Sequence, residues 1–239
     1  GVMMKKLLFV SLSFVFLSTQ VLYAKTKRYE VKSGMVTYAI TGSGNIMGMK
    51  RETHGHRTLY FEDYGNVEVQ ETEETTRTMG RTEKEHRLVK IEDGMVYSVS
   101  YEPKIITKGD MSKINKDMTK MGKEMMKSMG GKKVGKGEVL GFPCEIWEVK
   151  GTKRWFYKGV TLKVEINIMG MVRKEEATEV KFGVSIPPEK LKLPDYPTMT
   201  MEEMIQLQMS KHGREGHQPS PEEIKAMQNM MKNMFKSKQ

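Results

Sequence analysis

Cysteine is almost missing from this chain, since Cys144 is the single one among 239 residues. One thiol cannot form an internal disulfide, so packing must stabilise the fold even in an oxidising compartment. No histidine lies near Cys144 in the sequence to activate the thiol. We therefore expect Cys144 to be a small buried hydrophobic residue and not a nucleophile.

Motifs of the common enzyme classes are also missing. The sequence has no glycine-rich nucleotide-binding loop, no HExxH, no CxxC and no GxSxG. Such motifs hold phosphate-binding amides, zinc ligands, redox thiols or a nucleophilic serine at fixed spacings. We therefore expect a protein that is not an enzyme and that uses no cofactor.

Long apolar runs are limited to one, at residues 7–17. Lys5 and Lys6 precede this run and a polar stretch leads from it to Ala24, which is the pattern of a cleavable secretory signal peptide. The run is shorter than the roughly 20 apolar residues that a membrane-spanning helix needs. We expect cleavage near Ala24 and a periplasmic protein that begins near Lys25.

Basic residues outnumber acidic ones, which gives a formal charge of +10. Strands that interleave aromatic and basic residues, as base-stacking platforms do, are missing. We therefore expect no nucleic-acid partner. Anionic lipid headgroups at a membrane surface, or acidic proteins, suit the positive charge of an exported protein better.

Alternating apolar residues predict strands from residue 29 to about residue 101, and again from residue 138 to residue 184. Clusters of Gly, Asn and Asp separate them at the spacing of an antiparallel meander. The alternation is clearest where one face of a strand carries Leu162, Val164, Ile166 and Ile168. The prolines at 187, 188 and 194 are expected to close the sheet region, because proline cannot donate to a ladder.

The hydrophobic period changes between residues 110 and 129. Apolar residues recur there at spacings of three and four, and lysines repeat on the opposite side. This pattern predicts an amphipathic helix inserted in the sheet domain. Residues 198–239 also have a helical, methionine-rich pattern. We therefore divide the chain into a signal peptide (1–24), a sheet domain (25–197) with the inserted helix 110–129, and a helical C-terminal extension (198–239).

Methionine is unusually frequent, with 23 residues. Its thioether sulfur suits Cu(I), but most of these methionines recur at helical spacing, which favours packing or an adaptable apolar surface. A metal site would also use imidazoles, and the candidates are His54, His56, His212 and His217. The alternative for the first pair is an exposed hairpin tip around Gly55. No carboxylate or cysteine spacing completes a recognised metal site.

Residues 139–194 contain an ordered series of short motifs. These are Val139-Leu140-Gly141-Phe142-Pro143-Cys144, Glu145-Ile146-Trp147-Glu148, Trp155-Phe156-Tyr157-Lys158-Gly159-Val160-Thr161-Leu162-Lys163, and Ile186-Pro187-Pro188-Glu189-Lys190-Leu191. The series resembles the LolA/LolB-like superfamily of bacterial periplasmic proteins, and most closely its uncharacterised members. The resemblance implies a strongly curved antiparallel sheet, an incomplete barrel, with helices over its concave apolar face.

In the characterised carriers of that superfamily, the cavity holds the acyl chains of lipoproteins and contains a functional arginine. The motifs do not match Arg154 or Arg173 to that arginine. The methionine-rich helix and tail depart from a lipoprotein carrier, so the resemblance leaves the substrate open.

These observations predict a monomeric α+β protein with a curved antiparallel sheet, a covering amphipathic helix and a helical C-terminal extension. The expected function is non-enzymatic binding of an apolar or lipid-like ligand, or of a lipidated partner. The residues expected to line the cavity are Trp147, Trp155, Leu162, Val164, Ile166, Ile168, Met118, Met121 and Met125. A copper or metal-stress binding protein, and a structural envelope protein that grips a partner, are the two alternatives.

Overall fold

The computed structural model describes residues 27–46, 48–110, 122–204 and 206. The expected signal peptide, the first part of the expected helix 110–129 and most of the expected extension after residue 197 lie outside these residues. None of the described helices is long and apolar enough to span a bilayer.

Twelve strands form a single sheet in the order β12-β6-β5-β4-β3-β2-β1-β11-β10-β9-β8-β7. Their bounds are β1 (Gly34–Ile46), β2 (Met49–Glu62), β3 (Val67–Thr78), β4 (Arg81–Glu92), β5 (Met95–Tyr101), β6 (Lys104–Asp110), β7 (Lys132–Val139), β8 (Phe142–Val149), β9 (Thr152–Tyr157), β10 (Val160–Ile168), β11 (Met171–Phe182) and β12 (Thr198–Thr200).

The sheet consists of two antiparallel meanders, β1–β6 and β7–β11. The first strand of the first meander, β1, pairs with the last strand of the second, β11, from Gly34 opposite Phe182 to Gly44 opposite Met171. The short β12 adds to β6 in parallel. Because β7 and β12 are the two ends of the strand order, the sheet is not a closed barrel.

The prediction of an α+β fold is wrong for the described part of the chain. Its helices are α1 (Lys123–Ser128), the 3-10 helices η1 (Asp63–Gly65) and η2 (Pro188–Leu191), and a helical segment at 201–204. No covering amphipathic helix and no helical extension are found among these residues. Residues 104–110 form β6, and residues 198–200 form β12. At residues 198–200, backbone pairing with β6 therefore outweighs the helical spacing of the side chains. Only Asp110 of the expected helix lies in β6, and α1 is a short helix of six residues near the other end of the expected helix.

Six hairpins have two-residue connections in which a residue with positive φ is followed by glycine. Positive φ at both positions defines the turn that matches the twist of antiparallel strands. The pairs are Met79-Gly80, Asp93-Gly94, Leu140-Gly141, Lys150-Gly151, Lys158-Gly159 and Met169-Gly170. These turns fix the register of both meanders.

The register separates two faces of β1–β4. The cavity face carries Tyr38, Arg57, Thr72 and Arg87, which lie opposite one another in that order on β1, β2, β3 and β4. The outer face carries the alternate residues, such as Glu71 and Leu88. Both faces are covered in part, so buried side chains occur on each side of the sheet.

The largest apolar core lies on the cavity face, near the start of β1 and the end of β2. It contains Val36, Tyr38, Leu59 and Phe61, and the second meander contributes Val139, Cys144, Val160, Leu162 and Ala177. Cys144 is buried, and burial raises the pKa of its thiol. The thiol is therefore held in the protonated form, which is a poor nucleophile.

A second core lies on the outer face of β3–β6. Val69, Leu88, Val99 and Ile106 form it, and Leu191, Leu193 and Tyr196 pack against it. The chain between β11 and β12 therefore crosses the outer face of the first meander. Burial of these side chains fixes the crossing segment on the sheet.

Replacing Ile106 by alanine should destabilise the protein by about 2–5 kcal/mol, because the side chain is 2% exposed and its loss leaves a cavity under the crossing segment. Urea unfolding of the variant measures this change. Ile105→Ala is the matched control, since Ile105 is the adjacent residue, lies on the other face and is only half-buried. Equal losses for the two variants would contradict the presence of the second core.

Candidate functional site

A cavity of about 340 Å³ lies on the cavity face. Residues from both meanders line it, including Arg87 on β4 and Arg154 on β9. Six strand spacings separate these two strands, which is about 29 Å in a flat sheet. Since both side chains reach one small cavity, the sheet is strongly curved around it.

Eight of the nineteen residues that line this cavity are charged. Its five arginines and three glutamates are Arg28, Arg57, Arg87, Arg154, Arg173, Glu68, Glu74 and Glu175. Charges removed from water are costly unless they are paired. The pairing of each one therefore decides what the cavity can bind.

Arg173 joins the two meanders through a bidentate ion pair. Its two terminal nitrogens donate to the Glu74 carboxylate at 2.8 and 2.7 Å, across the cavity from β11 to β3. It also donates to Glu175 at 2.9 Å. The hydrogen bonds from Arg173 lower the pKa of Glu74 and raise that of Arg173. Both groups therefore stay charged.

Glu68 is completely buried and accepts hydrogen bonds from three neighbours. Arg28 and the Tyr29 hydroxyl donate to the same carboxylate oxygen at 2.8 and 2.6 Å, and Gln70 donates to the other. Burial, followed by the nearby Glu68 charge, raises the pKa of Tyr29 well above its usual value. The phenol therefore remains a donor, and Glu68 is fully compensated.

Arg57 links the hydrogen-bonded group around Glu68 to the ion pairs of Arg173. It donates to Gln70 at 2.9 Å, pairs with Glu175 at 3.1 Å, and its guanidinium stacks 4.1 Å from the centre of the Tyr38 ring. Burial raises the pKa of Tyr38, whose hydroxyl donates to the backbone carbonyl of Thr161. Arg57 is therefore held in place by the protein itself.

Arg154 is different, because it makes no hydrogen bond or ion pair within the described part of the chain. It lies opposite Val164 on β10 and lines the cavity. Burial lowers its pKa, while the more distant charge of Glu175 acts in the opposite sense. A guanidinium of this kind is a ready partner for a carboxylate or phosphate.

Apolar side chains line the rest of the same wall. Leu59, Val89, Val164 and Ile166 face the cavity, next to the Tyr38 ring. Among the described residues, the arrangement therefore offers one cation without a partner beside an apolar surface.

The structure brings two of the predicted cavity residues, Val164 and Ile166, to this cavity. Leu162 is fully buried in the main core, whereas Ile168 is 44% exposed at the end of β10. Trp155 packs against the main core, and Trp147 packs near Met126 of α1. Met125 lies in α1 itself, and Met118 and Met121 lie outside the described residues.

The histidine pair His54 and His56 does not flank a hairpin tip, because both lie in the middle of β2. Gly55 between them is required for packing, since a Cβ there would lie 2.3 Å from the Glu73 carbonyl oxygen on β3. His212 and His217 lie outside the described residues. The outer face does bring Glu71, Glu73 and His86 together, with ligand atoms within 4.8 Å of one another.

The charged network on β2–β4 is the part of the site that sequence reasoning missed. Residues 67–87 have so many Glu, Thr and Arg residues that one side of the strand pair is expected to face water. The signal was the strict alternation of Glu68, Gln70, Thr72 and Glu74 with residues of the other face, which places them all on one side. The alternation shows that these four residues share one face of the strand, but it does not show whether that face is buried.

Comparisons with known proteins give distant structural likenesses. No family model matches the chain, and no curated protein matches it. An uncharacterised conserved protein from Thermus thermophilus has a TM-score of 0.38 and 10% identity, with 69% of this chain and 90% of that chain covered.

Two further solved structures show weaker likeness. A putative outer membrane lipoprotein-sorting protein domain from Vibrio parahaemolyticus has a TM-score of 0.26 and 9% identity, over 69% of this chain and 92% of that chain. PNGF-II has a TM-score of 0.32 and 13% identity, and this chain spans about a third of its length. Likeness at this level does not establish a shared function, so the LolA/LolB-like resemblance stays a prediction.

Glu74→Gln should make the fold less sensitive to acid. Because Arg173 lowers the folded-state pKa of Glu74, its carboxylate contributes stability above the ordinary value near 4.5 and loses it as pH falls through the lower folded value. Between about pH 6 and about pH 3, the wild-type protein should therefore lose more unfolding free energy than the variant. Urea unfolding at each pH measures both curves. Glu83→Gln, at an exposed position on β4, should follow the wild type, and parallel curves for Glu74→Gln would contradict the pairing.

Proposed function

We propose that this protein is a non-enzymatic binding or carrier protein of the bacterial envelope, and that its cavity holds a lipid-like ligand with an anionic group. The observation that carries the proposal is Arg154, the cavity arginine that has no partner among the described residues. The other four arginines of the wall each pair with a glutamate. An anionic ligand group supplies the missing partner.

The strength of such a contact supports a binding role. Arginine binds carboxylate and phosphate groups through two parallel hydrogen bonds, and such charge-assisted bonds are about twice as strong as neutral ones. They are stronger still in a site from which water is partly excluded. The surrounding ion pairs keep the neighbouring carboxylates from neutralising Arg154, because Glu74 and Glu175 already accept from Arg173.

The apolar wall supports a ligand with a hydrocarbon part. Burial of each CH₂ group contributes about 0.8 kcal/mol, so a short chain against Val164 and Ile166 adds useful affinity without further polar contacts. A cavity of about 340 Å³ suits a small amphiphile or one end of a larger lipid. The envelope location is part of the proposal and follows from the expected signal peptide.

Octanoate and 1-octanol are matched probes for this site, since they share the chain and differ in charge. The protein should bind octanoate more tightly, and Arg154→Gln should weaken octanoate binding about tenfold or more while leaving octanol binding unchanged. Isothermal titration calorimetry measures both affinities.

Lys153→Gln is the control for the arginine variant. Lys153 is the preceding residue of β9, its side chain is exposed, and the same unit of positive charge is removed. Octanoate affinity should stay within twofold of the wild type. Equal binding of octanoate and octanol, or an Arg154→Gln variant that binds octanoate normally, would overturn the proposed anion site.

Native mass spectrometry of the protein purified from its own compartment separates this proposal from copper binding. We expect co-purifying masses of an acidic lipid or fatty acid, and their loss in the Arg154→Gln variant. Metal analysis of the same sample should find no stoichiometric copper. Copper without lipid would favour the methionine and histidine alternative instead.

A further inference from the structure

Two hairpin turns with methionine before glycine, Met79-Gly80 and Met169-Gly170, lie along one edge of the sheet, and the connection from β1 to β2 lies between them in the strand order. The chain uses the identical tetrapeptide Ile-Met-Gly-Met at 46–49 and at 168–171, and Thr-Met-Gly-Arg at 78–81. These segments connect β1 to β2, β10 to β11, and β3 to β4. We call the end of the sheet that contains these turns the tip edge.

The register places the ends of the three hairpins side by side. Gly44 near the end of β1 lies opposite Met171, and Arg51 near the start of β2 lies opposite Thr78. The hairpins are neighbours in the strand order, so successive turns are about 10 Å apart, twice the spacing of paired strands. The turn Lys150-Gly151 joins the same edge, since its glycine carbonyl accepts from the Asn167 amide at 2.8 Å.

The methionines at this edge do not stabilise a core. Met79 is 74% exposed and Met169 is 94% exposed, and their neighbours Met49, Ile168, Met171 and Val172 are each about half-exposed. Met79 and Met169 also have φ of 47° and 52°. Asparagine or aspartate suits this position better, because their short polar side chains tolerate positive φ. Folding alone therefore does not account for methionine there.

Basic side chains flank the exposed methionines. Five of them are exposed and have no ion pair in the described ranges, namely Arg51, Arg77, Arg81, Lys84 and Lys150. The acidic residues nearby include Glu52 and Glu148, which pair with Lys50 and Lys153. The exposed Glu83 lies on the same edge, and Arg77 is close enough to lower the pKa of Glu52. The edge therefore presents apolar tips among basic side chains that outnumber the acidic ones.

We propose that the tip edge is a docking surface for an anionic lipid bilayer. Exposed apolar side chains enter the boundary between headgroups and acyl chains, while lysines and arginines beside them attract anionic headgroups. Methionine suits this use, because its flexible side chain adapts to an irregular apolar environment. The charge complementarity favours a bilayer over a second copy of this chain, which carries the same positive edge. The inference does not depend on the cavity or its ligand.

The test uses the chain from Lys25 onward, the form expected after cleavage, which contains the whole described fold. Flotation with vesicles of phosphatidylcholine alone, and with 30% phosphatidylglycerol, measures the partition coefficient. Binding should require phosphatidylglycerol and should decrease as salt is added, since the headgroup attraction is screened. The double variant Met79→Asn/Met169→Asn should bind about tenfold more weakly.

The variant keeps the formal charge, and Asn-Gly is the preferred sequence for these turns, so the fold should be retained. Unchanged cavity binding of octanoate and an unchanged or higher melting temperature verify this. Leu140→Asn is the matched control: Leu140 is 53% exposed with φ of 52° before a glycine, but it lies at the other end of β8 from the tip edge. Its vesicle binding should equal that of the wild type.

Three results would overturn the proposal. The first is wild-type binding that is no stronger on vesicles with phosphatidylglycerol than on those without it. The second is a double variant that binds as the wild type does, or a Leu140→Asn variant that loses binding equally. The third is a dimer in sedimentation velocity that the double variant abolishes while vesicle binding persists, which would assign the tip edge to self-association.

Discussion

The pairing of β1 with β11 makes one sheet from two meanders, and the cavity exists because of it. Arg173 on β11 reaches Glu74 on β3 across β1 and β2, so the ion pair needs both the ladder and the curvature of the sheet. Within the ladder, the register shift between Thr37 and Tyr38 is a bulge, a device that increases the bend of a sheet. The backbone geometry of the β1–β11 ladder thus determines that Arg173 pairs with Glu74.

Pairing of these charges allows the protein to keep a polar cavity beside a substantial apolar core. Glu68 is compensated by Arg28 and Tyr29, and Glu74 by Arg173, so neither carboxylate needs a ligand. Removal of one partner from such a pair leaves an uncompensated charge, which is far costlier than loss of the pair as a whole. Arg154 has no such partner among the described residues, which is why the proposed function depends on it.

The sequence predicted the antiparallel meanders because alternation and glycine turns are local features, as at Val164 and Lys158-Gly159. It did not predict Glu68 or Arg57 in the cavity, because burial of a charge depends on partners from distant strands. The covering helix over 110–129 and the helical extension were wrong for the described residues. At residues 198–200 the cause is the parallel pairing of β12 with β6, a long-range effect that periodicity does not contain. The place of Arg154 in the cavity also depends on contacts between distant strands, so the sequence pattern did not predict it.

An open sheet of twelve strands has two unpaired borders, and such borders are templates for polymerisation into fibres. Here one border is finished by β12, which offers only three residues to an incoming strand. The other border, β7, carries Lys132, Lys133 and Lys136 and has an irregular register between Lys133 and Gly135. The repulsion between these lysines and the irregular register oppose edge-to-edge pairing of β7 with β7 of another copy. Both borders of the described sheet therefore carry features that oppose the addition of a further strand.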